Sequence, residues 1–578
     1  MTDDNKVCRN YLYSQLKFVL NFAIKTGSVN ILLVAHCVAA NISITPNGIR
    51  VLRLKHIIFY MKLVSFTLLL VSCGGGGNGN STLADTNTTT ISNIIAGATP
   101  FISFIDLHAI NISEINSIDF TIQPRTGTFS KAVSVNFSAD YLINEGYSYP
   151  VSKIVSVPVF GLYADYANPV DITLNFTDGS RRQLPTTVIT TSDYGGANTV
   201  YAAPVVHVSR NASDNLGFDY FYIKNGIDTP IIIDTDGFVR WLGPGSVHSA
   251  STAWYQNGFV IGEGDQYILG APGSAIMRYE LDGRITSSYL SDPDYLNFHH
   301  NIDIGKDGLL GEFDQATKYE STLAEFDPAT GTRLHEWDMA QIISNYMTAN
   351  GDIPGLFVQD GGGPTSDWFH NNASAYDARD NSLIISSREN FLIKIDYDTG
   401  QIIWIFGDPS KYWYTFPSLQ SKALTLEPGG LYPIGQHAVS ITPQGNLQIF
   451  NNGLESLNQP SSKGDWRGYS TVSTYSIDEV NHVATDISEF DNNKSLLSNI
   501  CSSAYTEADG SMLVDYAAAV SGTAAPAPAP NPFSIGNTAR LVGLNPAKTI
   551  VFDFEYPMTS CNSNFNARVV RLESLVFD

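Results

Sequence analysis

The chain has 578 residues, more than one ordinary domain, and its 43% hydrophobic and 15% charged content describes a folded protein with a large core. The formal charge of −23, from 33 Lys+Arg against 56 Asp+Glu, excludes a nucleic-acid partner, which requires clustered basic groups. Tyr and Phe dominate the aromatics and favour sheet, and no run of 18 apolar residues lies beyond the N-terminal region.

Residues 61–73 read as a signal peptide: a basic start at Met61-Lys62, a short apolar core, then Ser72 before Cys73. Leu70-Val71-Ser72-Cys73 resembles a bacterial lipobox, which implies cleavage before Cys73 and lipidation of its thiol. Gly74 after the cysteine suggests the outer membrane, facing the periplasm. Residues 1–60 precede this complete signal and read as a doubtful extension from a mis-assigned start. Residues 74–91, rich in Gly, Asn, Ser and Thr, read as a flexible tether. Removing 1–73 leaves 25 basic and 54 acidic side chains, a net −29. Cys8 and Cys37 go with the extension, so Cys501 and Cys561 remain as an even pair in an exported chain, and a disulfide is expected.

From 92 to 200 short alternating segments with turn signals predict a small β-sandwich: SIDFTIQP (117–124), AVSVNFSAD (132–140) and DITLNFTDGS (171–180). From 201 to 578 the pattern becomes a repeat. A strand ends in Asp, a short turn carries Gly, and a second strand often ends in Trp. The instances are IIIDTDGFVRW (231–241), IMRYELDGRITSSY (276–289), LAEFDPATGTRLHEW (323–337) and LIKIDYDTGQIIWIFG (392–407). Weaker ones are AVSITPQGNLQIFNNG (438–453) and STYSIDEVNHVATDI (473–487). In such turns Asp bonds backbone N–H groups and Gly supplies positive φ. The spacing predicts an all-β chain with a β-propeller of about six blades. AAPAPAPNP (524–532) reads as a stiff loop.

Three histidine segments near the starts of repeats stand out: FHHNID (298–303), DWFHNNASAYD (367–377) with ISSREN (385–390), and GQHAVSI (435–441). Only repeats wound about a common centre bring them together. Their meeting would make a cationic pocket in an acidic protein, suited to a small anion.

These segments carry a resemblance. The chain is similar to the bacterial arylsulfate sulfotransferases that use no nucleotide sulfate donor. VPVFGLYADYANPVDITLNF (157–176) resembles the end of that family's N-terminal domain. HHNIDIGKDG, DWFHNNASAYD, ISSREN, WIFGDP (404–409) and GQHAVSI follow in the family's order, so the likeness covers nearly all of 92–578. It implies a six-bladed propeller behind a β-sandwich, and sulfuryl transfer from an aryl sulfate donor to a phenolic acceptor through a sulfated histidine. No cofactor is implied.

By that resemblance His437 holds the nucleophile's position, and a neutral imidazole can attack the sulfur of an aryl sulfate. His370 belongs to the site with Asn372, since i and i+2 share a face of an extended strand. The N–H fork of Arg388 suits a sulfuryl group. His300, before Asn301, is the better match to the family's motif, with His299 as the other candidate. His300 and His370 would act on the bridging oxygen, and which one is the acid is not written in the sequence.

Three histidines are also a familiar zinc set, but short ligand spacing and an acidic partner fixed by motif are both missing, so no metal is expected. No P-loop appears, and CSSAY (501–505) lacks the Arg of ordinary sulfatases. Tyr163, Tyr220 and Tyr222 are weaker candidates for stacking on substrate. The competing function is a lipid-anchored, non-catalytic propeller that binds a small anion or a protein partner.

Overall fold

The computed structural model describes residues 44–45, 48–49, 89–195, 199–226, 228–263, 275–290, 295–359, 366–459, 461–464, 466–521, 538–558 and 564–578. The signal segment with Cys73, the run 524–532 and Cys561 lie outside the described residues. The chain divides into two compact units, Met1–Thr82 and Leu83–Asp578. In the first, Ile44–Thr45 pairs antiparallel with Gly48–Ile49.

The second unit opens with two packed sheets. The three alternating segments foreseen in the sequence lie side by side in one sheet, where Ile115–Ile122 pairs with Val133–Ser138 on one side and Ala167–Phe176 on the other. Alternate residues of Val133–Ser138 are buried, as a half-buried strand requires. The facing sheet joins Thr90–Ala96, Ile102–His108, Ile154–Phe160 and Ser148–Tyr149. Its first strand thus begins inside the stretch assigned to the tether. Phe120 and Phe137 of one sheet meet Phe160 of the other edge-on, at 5.4 and 6.3 Å between centroids.

Six blades follow. Tyr220–Lys224, Ile231–Asp234 and Val239–Leu242 make the first, and Asn566–Val570 from far along the chain supplies its inner strand. The second to fourth blades each run four consecutive strands: Thr252–Tyr255 to Ile285–Tyr289, Tyr295–Ile304 to Arg333–Asp338, and Asn371–Asp377 to Ile402–Phe406. The fifth runs from His437–Ile441 to Val483–Phe490, with Thr425–Leu426 added in parallel. The sixth contains Leu496–Ser498, Ser503–Thr506, Met512–Ser521, Thr538–Leu544 and Ile550–Pro557, and takes Val205–Val208 as its outer strand. The inner strands of neighbouring blades touch around the centre.

The repeat signals have visible causes. Asp234 Oδ1 accepts from the N–H groups of Asp236 and Phe238 at 3.1 and 2.9 Å, and Gly237 sits at φ +91°. Asp396 and Gly400, at φ +67°, repeat the device. The tryptophans join blades: Trp241 Nε1–H donates to Leu281 O (2.8 Å), Trp337 to Tyr397 O (3.0 Å) and Trp404 to a Glu479 carboxylate oxygen (2.9 Å). Each acceptor lies at a turn of the following blade.

The quoted repeats do not fall one to a blade. The segments 438–453 and 473–487 both belong to the fifth blade. The sixth carries none of the quoted instances, because its strands are nearly all buried and, of its described turns, Glu507-Ala508-Asp509-Gly510 has the Asp-Gly signal whereas Asn545–Thr549 turns on Asn545 without a glycine. Three helices were not foreseen among the described residues, Ala139–Asn144, Met339–Ala349 and Pro417–Gln420; the longest, capped by Asp338 accepting from Gln341 N–H, buries Met339, Ile343 and Met347 at helical spacing. The two domains also interleave, since Leu575–Phe577 returns to pair in parallel with Val133–Ser138 of the sandwich.

The segment 157–176 latches sandwich to propeller. Gly161 O accepts from Arg240 Nε and Nη2 at 3.0 and 2.7 Å, and Tyr163 lies beneath the guanidinium at 3.7 Å. Tyr163, Tyr220 and Tyr222 are all buried in this junction and its core. Tyr220 O–H donates to Lys131 O, and Tyr222 packs on Phe259. They are structural side chains.

Candidate active site

Each of the three histidine segments forms a bulge on an inner strand. Pairing slips between His299 and Ile302, between Asn371 and Ala373, and between His437 and Ser440. His300, His370 and Ala438 hold φ of +52°, +55° and +52°, a conformation that L-residues rarely adopt. A bulge bends the strand and re-aims its side chains out of strict alternation. Here it turns imidazoles from the third, fourth and fifth blades toward one point. The i, i+2 argument for His370 and Asn372 therefore gives way, because the slip lies between them.

The ring of His300 sits 4.7 Å from that of His370 and 6.2 Å from that of His437, centroid to centroid. One nitrogen from each of the three lies within 4.8 Å of the others. His299 is the more buried of its pair, and its Nδ1 meets His300 Nδ1 at 3.0 Å. His300 stands between the other two rings, with His299 at its back. Asn301, on the wall of the same small cavity, pins the bulge: its N–H donates to Glu312 Oε2 (3.1 Å) and its Nδ2 to Asp303 Oδ2 (2.6 Å).

His437 Nδ1 lies 2.8 Å from Asn452 Oδ1. The amide is oriented by its own donor end, since Asn452 Nδ2 bonds Ser498 O (2.7 Å) and Cys501 O (3.1 Å). Asn452 thus presents an acceptor, the His437 proton sits on Nδ1, and the lone pair is on Nε2. Burial and the Arg388 charge lower His437 to about 3, so the ring is neutral near pH 7.

His370 is the opposite case. Burial disfavours its charge, but its Nδ1 meets Asp367 Oδ2 at 2.7 Å and Glu320 Oε2 at 2.5 Å, and those carboxylates raise it to about 10. It is an imidazolium near pH 7. Burial, then the positive charge of His370, lowers His299 to about 3 and holds His300 well below the usual range.

Arg388 is buried, with Nη1 on Glu389 Oε1 and Nη2 without a protein partner. A buried, unpartnered guanidinium nitrogen is a ready anion donor. Asn372 lines the same small cavity as His300 and His437, with Ala438, Cys501 and Phe565. Its Nδ2 bonds Gln436 O (2.8 Å) and its Oδ1 has no partner, so its open atom is an acceptor. Cys501 is buried on this wall, while Cys561 lies outside the described residues.

The cationic groups expected here have carboxylate partners. Asp367, Glu320 and Glu389 compensate the two charged groups. Asp367 was legible three residues before His370, and Glu389 beside Arg388. Glu320 and Asn452 stand in no recognisable pattern.

The family model described as Arylsulfotransferase (ASST) matches residues 206–565, and that of the Arylsulfotransferase Ig-like domain matches 109–192. The chain belongs to the arylsulfotransferase family. An arylsulfate sulfotransferase of Escherichia coli O6:H1 is 29% identical over 217 residues, 33% of this chain and 34% of that protein. One from Lelliottia amnigena is 34% identical over 140 residues, 21% of this chain and 22% of its own length. The matches thus span about a third or less of these curated relatives. Among solved structures, the Myceliophteria thermophila Cps50 (Swd1) β-propeller domain is similar at 11% identity and a TM-score of 0.29, covering 62% of this chain and 97% of that one.

Proposed function

We propose that this chain moves a sulfuryl group from an aryl sulfate donor to a phenolic acceptor by a ping-pong mechanism through N-sulfohistidine at His437. The observation that carries the reading is the neutral His437, with Nδ1–H held by Asn452 and Nε2 left as the nucleophile. In the first half-reaction Nε2 attacks sulfur. The sulfur–oxygen bond breaks, the electron pair goes to the phenol oxygen, and the His370 imidazolium gives that oxygen its proton. Arg388 Nη2 bears the charge on the sulfuryl oxygens. In the second, the acceptor phenol gives its proton to His370 and its oxygen attacks sulfur. The nitrogen–sulfur bond breaks and the pair returns to Nε2. Protons balance over the cycle, and no cofactor enters.

The test is intact-mass analysis after donor alone, followed by 4-nitrophenyl sulfate turnover with phenol. Wild type should carry one added sulfuryl group, and His437→Ala none and no transfer. Release of nitrophenolate by a wild-type protein that never gains a sulfuryl group would sink the covalent step.

A second reading rests on the same nitrogens. Three imidazole nitrogens within 4.8 Å of one another also suit a divalent cation. Arg388 and the charged His370 beside them oppose a cation and favour an anion. Turnover should survive EDTA; loss in EDTA and recovery with zinc would favour the metal.

We also propose that Cys73 carries a lipid anchor to the outer membrane, on the sequence of residues 61–74. Fractionation of wild type against Cys73→Ser tests it, and a wild type wholly in the soluble periplasmic fraction would refute it.

A further inference from the structure

One loop of the fifth blade serves all three working groups. The strand Leu447–Asn451 runs into residues 452–459. Asn452 holds His437. Six residues on, Asn458 reaches across to the fourth blade. Its backbone N–H donates to Glu389 Oε2 (2.8 Å), the carboxylate whose other oxygen pairs with Arg388. Its side-chain Nδ2 donates to Asp367 O (2.9 Å) and to Asp367 Oδ2 (3.0 Å), the oxygen that also meets His370 Nδ1. Gln459 Nε2 donates to Trp368 O (2.9 Å), the next carbonyl along. Ser456 O–H donates to Glu389 O.

We infer that Asn458 is a positioning residue for proton transfer from His370. It acts by fixing the rotation of the Asp367 carboxylate, and the inference rests on the proposed acid role of His370. The physical case is one of orientation. Among the described residues Asp367 Oδ1 is buried without a hydrogen-bond partner, so that oxygen does not fix the carboxylate's rotation. Among the described residues, the oxygen that orients the imidazolium also accepts from Asn458 Nδ2 and from no other side chain outside the fourth blade's own segment. Glu320 holds the same Nδ1 from the third blade. The Asp367 hydrogen bond and the Glu320 ion pair set the tilt of the ring, and with it the aim of Nε2 at the leaving oxygen. Small errors of aim in such a group weaken catalysis steeply. Asn458 is itself solvent-exposed, so its replacement leaves the fold in place.

The experiment compares two donors in Asn458→Leu, which keeps shape and removes the amide donor, and in Asn458→Ala. Phenyl sulfate has a poor leaving group and needs the acid. 4-Nitrophenyl sulfate has a good one and scarcely does. Both variants should lose roughly tenfold in kcat with phenyl sulfate, a fraction of what a general acid supplies, and less than about twofold with the nitrophenyl donor. Equal loss on both donors, or none on either, overturns the inference. His370→Asn is the control. If it too fails to discriminate between donors, the acid role of His370 falls. If it discriminates and the Asn458 variants do not, only the positioning role falls.

Discussion

Arg388 offers one free nitrogen, because Nη1 is already held by Glu389. Lysine at 388 would keep the ion pair and lose the second donor. Arg388→Lys should therefore cost about 3 kcal/mol in the transition state, roughly a hundredfold in kcat. Steady-state kinetics with less than a threefold change would remove Arg388 from the sulfuryl group. His437 and His370 also set a pH profile in their proposed roles. In the proposed roles, His437 is lost as nucleophile only below about 3 and His370 as acid only above about 10, so kcat should be level between. A rate that rises through the ordinary imidazole range near 6.5 would contradict the assignment of His437, and one that falls there the assignment of His370. Stability follows with opposite signs. The contribution of His370, whose value is raised by folding, is complete below about 6.5 and lost as pH rises through about 10. His299 and His437 are lowered, so the unfolded chain binds their protons first and stability falls as pH drops from about 6.5 toward 3. Chemical denaturation across pH reads both.

At the scale of elements, the site is made by bulges. Ala438 holds φ +52° directly after His437. Glycine accepts that conformation freely, whereas a β-branched side chain does not. Ala438→Val should destabilise by about 1–3 kcal/mol and depress transfer, and Ala438→Gly should leave both near wild type. Equal melting temperatures for the three proteins would show that the bulge carries no strain. These bulges explain what the sequence conceals. His300, His370, Arg388 and His437 were legible because short motifs in a fixed order carry them. The alternation of Val133–Ser138 and the Asp-Gly turns were legible because each has a local cause. Glu320 and Asn452 were not, since their partners lie 50 and 15 residues away and only the closed ring brings them near. The sixth blade was illegible for a related reason. Buried on both faces, Met512–Ser521 shows no alternation to read.

At the scale of the molecule, sandwich and propeller are bound by the strand Leu575–Phe577. Phe577 packs on Phe137 and Tyr141, each at 5.0 Å between centroids. Phe577→Ala should cost about 3–5 kcal/mol, read as a lowered melting temperature. A change below about 1 kcal/mol would mean that the sandwich closes without it.

The inner strand of the first blade is borrowed from residue 566 onward, and the outer strand of the sixth from residues 205–208. This sets an order of events in time. Tyr220 waits for Val570, some 350 residues later, before its sheet is whole. Closing so long a loop is slow, and the contacts that reward it form only at the end. Until then the third, fourth and fifth blades have no fixed centre, and His300, His370 and His437 have no reason to meet. Nascent chains short of residue 566 should therefore be inert whatever local structure they hold. Catalysis, when it begins, announces that the last turn of the ring has locked.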